Sequence, residues 1–350
     1  MAKTANKNGD NEPRSNQASG FKDWVVRHQV ATFYFLVFGI SWPCMIAVYS
    51  VSNENMAVQA ICGLAMTFSP VLVAFMVVSI AKSRPRRDPS RYRWPVFGIG
   101  WVVSWAILIL HTWQIREAPL NLSAIVPTAF VAILPGWLIS CAYSPIPGVR
   151  ALFGTLLRPR GRLVWYLVAF FIVPTIQIAG AGITAFFGGR VESVAGDLPL
   201  GQAAVMIGLS FFYGLLFAGG INEETGWRGF VLPRLQARYP VIVAVFIVWF
   251  FWALWHIPYD IGRGLPVESI LFNRLVLNFV WAVFLAWLYN RTQGSLLTPV
   301  IFHPAMNAFG EALPRTDAAT VLFLVLALVV IIRERMWRQL PAESRALEAG

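Results

Sequence analysis

The chain has 350 residues, of which 57% are hydrophobic and 13% charged, and its formal net charge is +11. Soluble domains average about 45–50% apolar and about 25% charged residues. The composition therefore excludes an ordinary soluble domain and indicates an integral membrane protein. The basic residues lie at the ends of apolar segments, which is typical of topology signals facing anionic lipid and argues against nucleic-acid binding.

Residues 1–29 are predicted to form a disordered cytosolic tail, because 1–20 are polar and lack the apolar stretch of a signal peptide. Apolar segments follow, each near the roughly 20 residues that a membrane helix needs. Segment 295–310 is short and could be a re-entrant or half-buried helix. The segments cover 30–51, 56–80, 95–111, 122–143, 163–187, 201–220, 241–256, 270–289, 295–310 and 318–332.

This pattern predicts an all-α fold, a polytopic transmembrane helical bundle of about eight to ten spans. Residues 30–195 would form the N-terminal transmembrane segments. Residues 196–310 would form a core that holds the polar clusters described below. Residues 311–350 would form the last transmembrane helix and a basic cytosolic tail.

Lysine and arginine alternate between the connections, which predicts the orientation of a multi-pass cell-membrane protein. The odd-numbered connections carry few basic residues, whereas the second, fourth and sixth carry many, as does the C-terminal tail. The cytosolic side holds the excess of such residues, so both the N- and the C-terminus are expected in the cytosol. The rich connections and the tail contain Lys82, Arg84, Arg86, Arg87, Arg91 and Arg93; Arg150, Arg158, Arg160 and Arg162; Arg228, Arg234 and Arg238; and Arg333, Arg335, Arg338 and Arg345.

Several site chemistries lack their motifs in this sequence. There is no HExxH for a zinc protease, no GxSxG for a serine nucleophile and no CxxC pair. Tyr259-Asp260 resembles half of an aspartyl-protease signature, but no GxGD accompanies it. We therefore predict that Asp260 is a loop residue.

The stretch INEETGWRGF, residues 221–230, places charged side chains beside an apolar segment. A charged residue at membrane depth costs at least about 2.5–3.5 kcal/mol, so it is a candidate functional residue by default. Adjacent helical residues point about 100° apart, so Glu223 and Glu224 cannot serve the same neighbour. Glu224 and Arg228 are spaced for an i,i+4 ion pair. The alternative is an interfacial charge cluster at the cytosolic end of a helix.

Two further polar clusters lie in the C-terminal half. In WALWH the i,i+4 spacing places Trp252 on the same helical face as His256, although that histidine alone could simply mark the membrane interface. In HPAMN the same spacing relates His303 to Asn307, although both could be ordinary polar contacts between membrane helices. Together the clusters supply a carboxylate, two imidazoles and an amide, which can activate water and stabilise an oxyanion.

The order EE-x3-R, aromatic-x3-His and His-x3-Asn resembles the three motifs of the CPBP family, the CAAX prenyl protease and bacteriocin-processing intramembrane proteases also called the Abi family. The stretches EETGWRGFVLPRLQ and GSLLTPVIFHPAMNAFG are similar to bacterial members beyond the motif positions. The likeness covers roughly 201–310, within the predicted core 196–310. One departure is Trp252, where the family more often has phenylalanine.

The resemblance implies peptide-bond hydrolysis within the membrane, in a catalytic cavity formed by the later helices and open to the cytosol. Transferred position by position, Glu223 would activate the water and His256 would help to hold it. His303 and Asn307 would form the oxyanion hole.

The resemblance also implies a supporting role for Glu224 and Arg228, with Trp252 beside the histidine. The partners would be the lipid bilayer and a membrane-associated peptide or protein substrate, and no nucleic acid. We expect no cofactor, although two histidines and a glutamate could bind zinc. A non-catalytic membrane scaffold and a proton-coupled transporter using the same buried polar residues remain as alternatives.

One geometric difficulty accompanies this interpretation. In a straight helix over 241–256 that enters from the cytosol, His256 would lie about 23 Å along the axis, near the far side of the bilayer. Glu223 would have to reach the same depth. This requires a tilted helix, a cytosolic stretch reaching past Val241, or a helix at 201–220 that continues through Glu223.

Overall fold

The computed structural model describes residues 18–51, 55–81, 90–192, 196 and 198–341. These residues contain helices and no strand. Most of the predicted N-terminal tail, residues 1–17, lies outside the described residues, as do 342–350, whereas residues 18–27 form a helix. The helices are α1 (Ala18–Arg27), α2 (Gln29–Ser50), α3 (Met56–Ala81), α4 (Arg93–Gln114), α5 (Leu122–Ser140), α6 (Pro147–Leu157), α7 (Val164–Phe186), α8 (Leu200–Phe217), α9 (Ile221–Glu224), α10 (Leu232–Gln236), α11 (Val241–Trp255), α12 (Ile257–Gly262), α13 (Val267–Leu271), α14 (Asn278–Arg291), α15 (Leu297–Ala312) and α16 (Asp317–Arg333).

Within the described part of the chain, eight helical stretches are long and apolar enough to cross a membrane, which confirms the predicted polytopic all-α bundle. Helices α15 and α16 have 16 and 17 residues and are shorter than these stretches. At 1.5 Å per residue they extend about 24–26 Å, less than the roughly 30 Å hydrocarbon core. The eight stretches are Gln29–Ser50, Val58–Ala81, Arg93–Gln114, Ile125–Tyr143, Val164–Phe186, Leu200–Gln236, Val241–Gly262 and Val267–Arg291.

The sixth stretch, Leu200–Gln236, continues beyond the end of helix α8. After a break at 218–220 the chain resumes as α9, continues as a π-helix over Thr225–Val231 and ends with α10. The seventh stretch likewise runs beyond the predicted 256, through α12 to Gly262. The predicted segments 201–220 and 241–256 were therefore too short, because their polar residues were taken as segment ends.

Because both stretches are longer than predicted, Glu223 and His256 can lie at the same depth in the bundle. The side chain of Asn222 donates to the carbonyl of Thr67 at 3.0 Å. A Cβ added at Gly226 would lie 2.8 Å from Pro70, so α3 and the π-helix are in close contact. Thr67 and Pro70 are near the middle of α3. The EE motif therefore lies halfway along a membrane helix, where it can meet the distal half of the stretch Val241–Gly262.

The helices that carry the three motifs pack against one another around this level. Helix α15 runs along both α7 and α8, α9 and the π-helix contact α3, and α11 packs on α14. A large buried core surrounds them, including the fully buried rings of Phe33, Trp227 and Phe230. This packing fixes the motif helices relative to one another.

Asp260 does not lie in a loop, which corrects the sequence prediction. It is buried in α12, where its two carboxylate oxygens accept hydrogen bonds from Nε and Nη2 of Arg274, each at 2.6 Å. The pair ties α12, the helix that begins directly after His256, to the π-helix Phe272–Leu277. The sequence offered no local signal for this pairing, because the two residues belong to different helices.

Candidate active site

The break between α8 and α9 makes room for a histidine. Gly219 has a φ of 101°, which favours glycine, and a Cβ there would lie 2.7 Å from Nε2 of His303. The backbone N–H of Gly219 donates to Oδ1 of Asn222 at 2.9 Å. Asn222 is fully buried and also donates to Thr67, so it holds the break against α3. The sequence analysis missed Asn222, although a polar residue beside the two glutamates was a usable signal.

Glu223 is buried and faces α11. Its Oε2 accepts a hydrogen bond from the indole Nε1 of Trp252 at 2.9 Å. This bond joins the first motif to the second across the helix interface. No described residue hydrogen-bonds to Oε1 of Glu223, so one carboxylate oxygen is available for another partner.

The side chain of Glu224 points away from that of Glu223, as expected for adjacent residues of a helix. Its Oε1 accepts from Nη1 of Arg228 at 2.9 Å, which confirms the predicted i,i+4 ion pair. Nδ1 of His303 lies 2.7 Å from the same oxygen, and all three side chains are buried. Among the described residues, Oε2 of Glu224 and Nη2 of Arg228 have no hydrogen-bond partner. Glu224 thus joins the first motif to the third.

Trp252 lies at the centre of these contacts. The guanidinium of Arg228 lies over its ring at 4.3 Å from the centroid. The rings of His256 and His303 meet it edge-on, with centroids 5.6 and 5.5 Å away. The indole therefore orients both imidazoles and the arginine while it donates to Glu223.

The tautomer of His256 follows from its partner. Nδ1 lies 2.7 Å from the backbone carbonyl oxygen of Trp252, one helical turn earlier. A carbonyl oxygen can only accept, so Nδ1 carries the hydrogen and Nε2 of the neutral ring keeps its lone pair. His256 is half-buried. It therefore combines a fixed ring with an available acceptor.

Asn307 is placed differently from the other six predicted residues. It is exposed on α15, whereas His303, one turn earlier, is buried. Within the described residues, no hydrogen bond or ion pair involves the Asn307 side chain. The structure thus assembles Glu223, Glu224, Arg228, Trp252, His256 and His303, and shows no hydrogen bond between the side chains of Asn307 and His303.

Residues 205–309 match the family model described as "Type II CAAX prenyl endopeptidase Rce1-like". All seven predicted site residues fall within that range. The resemblance to the CAAX protease family is confirmed. The chain is a multi-pass membrane protein with a region similar to these proteases.

A curated relative gives the same result. CAAX prenyl protease 2 of Methanococcus maripaludis is 26% identical over 183 residues, which are 49% of this chain and 66% of the relative. The match thus covers a little under two thirds of the relative's length. The activity of this relative is therefore only a proposal for the present chain.

The described residues do not form a zinc site as they are arranged. No group of three or more His, Cys, Asp or Glu side chains among them could hold a metal ion. Nδ1 of His303 and Oε1 of Glu224 face each other, and Arg228 occupies the same carboxylate oxygen. These two donor atoms are engaged with each other, whereas Oε1 of Glu223 and Nε2 of His256 are not. A catalytic zinc needs about three converging protein ligands.

Proposed function

We propose that the protein is an intramembrane endopeptidase that hydrolyses peptide bonds of membrane-associated proteins or peptides, with water activated by Glu223. The observation that carries this proposal is the placement of the Glu223 carboxylate. It is buried halfway along the bundle, oriented through Oε2 by Trp252, and Oε1 has no hydrogen bond from a described residue. A fixed carboxylate shielded from bulk water is suited to act as a general base.

In the proposed reaction Glu223 takes a proton from a water molecule as the water oxygen attacks the scissile carbonyl carbon. The carbonyl π electrons move to its oxygen and generate an oxyanion. When the carbon–nitrogen bond breaks, the proton held by Glu223 passes to the leaving amine. His256 supports the first step, because its free Nε2 can accept a hydrogen bond from the other O–H of the water and so help to position it.

His303 is proposed to donate a hydrogen bond to the oxyanion through Nε2. Nδ1 lies 2.7 Å from Oε1 of Glu224, so the carboxylate orients the ring and Nε2 lies on its other side. Arg228 in turn holds the carboxylate of Glu224 in place.

Asn307 is proposed as the second oxyanion donor. Its exposed side chain would turn toward the substrate carbonyl when the substrate binds. The proposed chemistry uses no metal. The positive-inside pattern supports cytosolic termini.

His303→Ala is expected to lower the rate of peptide cleavage by about 10²–10³, the usual effect of losing one oxyanion donor. The rate would be measured in proteoliposomes with membrane-anchored peptides that carry a quenched fluorophore. His28→Ala, at an exposed histidine between α1 and α2, is the matched control and should leave the rate unchanged. Equal rates for the wild type and His303→Ala would exclude the proposed role of His303.

A further inference from the structure

A cavity of about 560 Å³ opens at the end of α6, apart from the residues of the proposed catalytic group. One wall is α6 itself, and the segment that follows α6 forms another. Three of the lining residues are arginines. The cavity is lined by Pro147, Arg150, Ala151, Gly154, Thr155, Arg158 and Arg160.

The three guanidinium groups are oriented by backbone carbonyls. Arg150 donates to the carbonyl of Ser144 at 3.0 Å, and Arg158 donates to that of Ala142 at 3.1 Å. Arg160 donates more weakly to the carbonyl of Gln293, at 3.4 Å.

No carboxylate of the described residues forms an ion pair with any of them. Each guanidinium carries five N–H groups, so most of its donors remain available. The cavity therefore combines fixed cationic forks with uncompensated positive charge, which suits a phosphate group.

The surroundings favour a ligand that belongs to the membrane. Leu157, Leu163 and Val164 flank the arginine segment and are 40%, 73% and 45% exposed. In a membrane protein, such exposed aliphatic side chains are in position to contact acyl chains. The cavity thus has a cationic lining, and exposed aliphatic side chains lie close in sequence to its arginines, an arrangement that suits a lipid molecule.

A second basic segment lies beside the cavity. The ring of Tyr143 packs on that of Tyr92, with centroids 5.8 Å apart, and Arg158 lies 5.8 Å from the Tyr143 centroid. Arg91 in turn lies over Tyr92. The positive potential of the cavity therefore continues onto the neighbouring connection, the side predicted to face the cytosol.

We propose that this cavity binds the phosphate head group of an anionic phospholipid, with the acyl chains along Leu157, Leu163 and Val164. Basic pockets between membrane helices on the cytosolic side commonly hold such head groups. The site is independent of the proposed peptidase chemistry, since none of its lining residues belongs to the catalytic group. Thr155 connects it to the catalytic half, because its Oγ1 accepts from the backbone N–H of Leu296, at the start of α15.

The test compares lipid binding by the full chain and by Arg150→Gln/Arg158→Gln. Both proteins would be reconstituted with spin-labelled phosphatidylglycerol or phosphatidylcholine, and the fraction of motionally restricted lipid would be measured. The wild type should prefer phosphatidylglycerol, and the double variant should lose about fivefold or more of that preference. A parallel series with added inorganic phosphate would show whether the free anion competes.

Arg238→Gln/Arg338→Gln is the matched control, because it removes the same charge from exposed positions outside the cavity. This control should keep the lipid preference, and thermal unfolding in detergent would show that both double variants are folded. An unchanged preference in Arg150→Gln/Arg158→Gln, or an equal loss in the control, would overturn the proposal. Displacement of phosphatidylglycerol by millimolar inorganic phosphate would overturn it in favour of a site for the free anion.

Discussion

Glu223→Gln is expected to reduce peptide hydrolysis by about 10²–10⁴, the contribution typical of a general base. Glutamine preserves the shape of the side chain, and its amide oxygen can still accept from Trp252, so the helix contact should persist. The amide cannot take a proton from water at neutral pH. The rate constant would be measured on membrane-anchored peptides in proteoliposomes under single-turnover conditions.

Glu311→Gln provides the control for that substitution. Glu311 is an exposed glutamate on α15, so its replacement makes the same chemical change away from the buried group. We expect the control to cleave at the wild-type rate. If Glu223→Gln also retained most of the wild-type rate, the base would have to be another residue.

Arg228→Met is expected to lower the free energy of unfolding by about 3–5 kcal/mol, the cost of leaving one partner of a buried ion pair uncompensated. Methionine can fill much of the space under the ring of Trp252, but the carboxylate of Glu224 would lose its cation. Arg228 and Glu224 are both buried, so water cannot solvate the carboxylate that the substitution leaves without its partner. Unfolding would be followed by tryptophan fluorescence in detergent with increasing denaturant.

The double variant Glu224→Gln/Arg228→Met separates charge from packing. Glutamine can still hydrogen-bond to His303, and the uncompensated carboxylate of Glu224 is removed, so much of the lost stability should return. Recovery would show that the two sites are energetically coupled. An Arg228→Met protein as stable as the wild type would show that the ion pair does not support the fold.

The helical fold was predictable because its signals are local. A run of apolar residues of membrane length defines a span wherever it lies in the fold, and the ion pair of Glu224 with Arg228 depends only on helical spacing. The three motif clusters were likewise found from polar residues in apolar surroundings. Their family resemblance extended this interpretation to residues 201–310, close to the matched range 205–309.

The contacts between helices were not predictable from this information. The bond from Trp252 to Glu223 and the contact of His303 with Glu224 depend on how three separate helical segments cross. Helical periodicity predicts which residues share one face of a helix. It does not predict which face of a neighbouring helix packs against them. The exposure of Asn307 shows the same limit, since its i,i+4 relation to His303 did not predict their different burial.

The ends of the stretches Leu200–Gln236 and Val241–Gly262 could not be predicted from the local sequence either. Polar residues at Glu223 and His256 read as segment ends, although the helical stretches continue to Gln236 and Gly262. Continuation depends on buried partners such as Trp252, which compensate the polar groups through space. A residue that is costly in lipid alone is thus tolerated within the bundle.

The most direct test of the central claim is cleavage of a membrane-anchored peptide library by the purified full chain in liposomes, with and without a zinc chelator. Mass spectrometry of the products would identify any new peptide termini. The proposed glutamate mechanism predicts peptide products that form at the same rate in both conditions. Loss of cleavage on chelation would contradict the metal-free mechanism, and the absence of any product across the library would contradict the assignment as an endopeptidase.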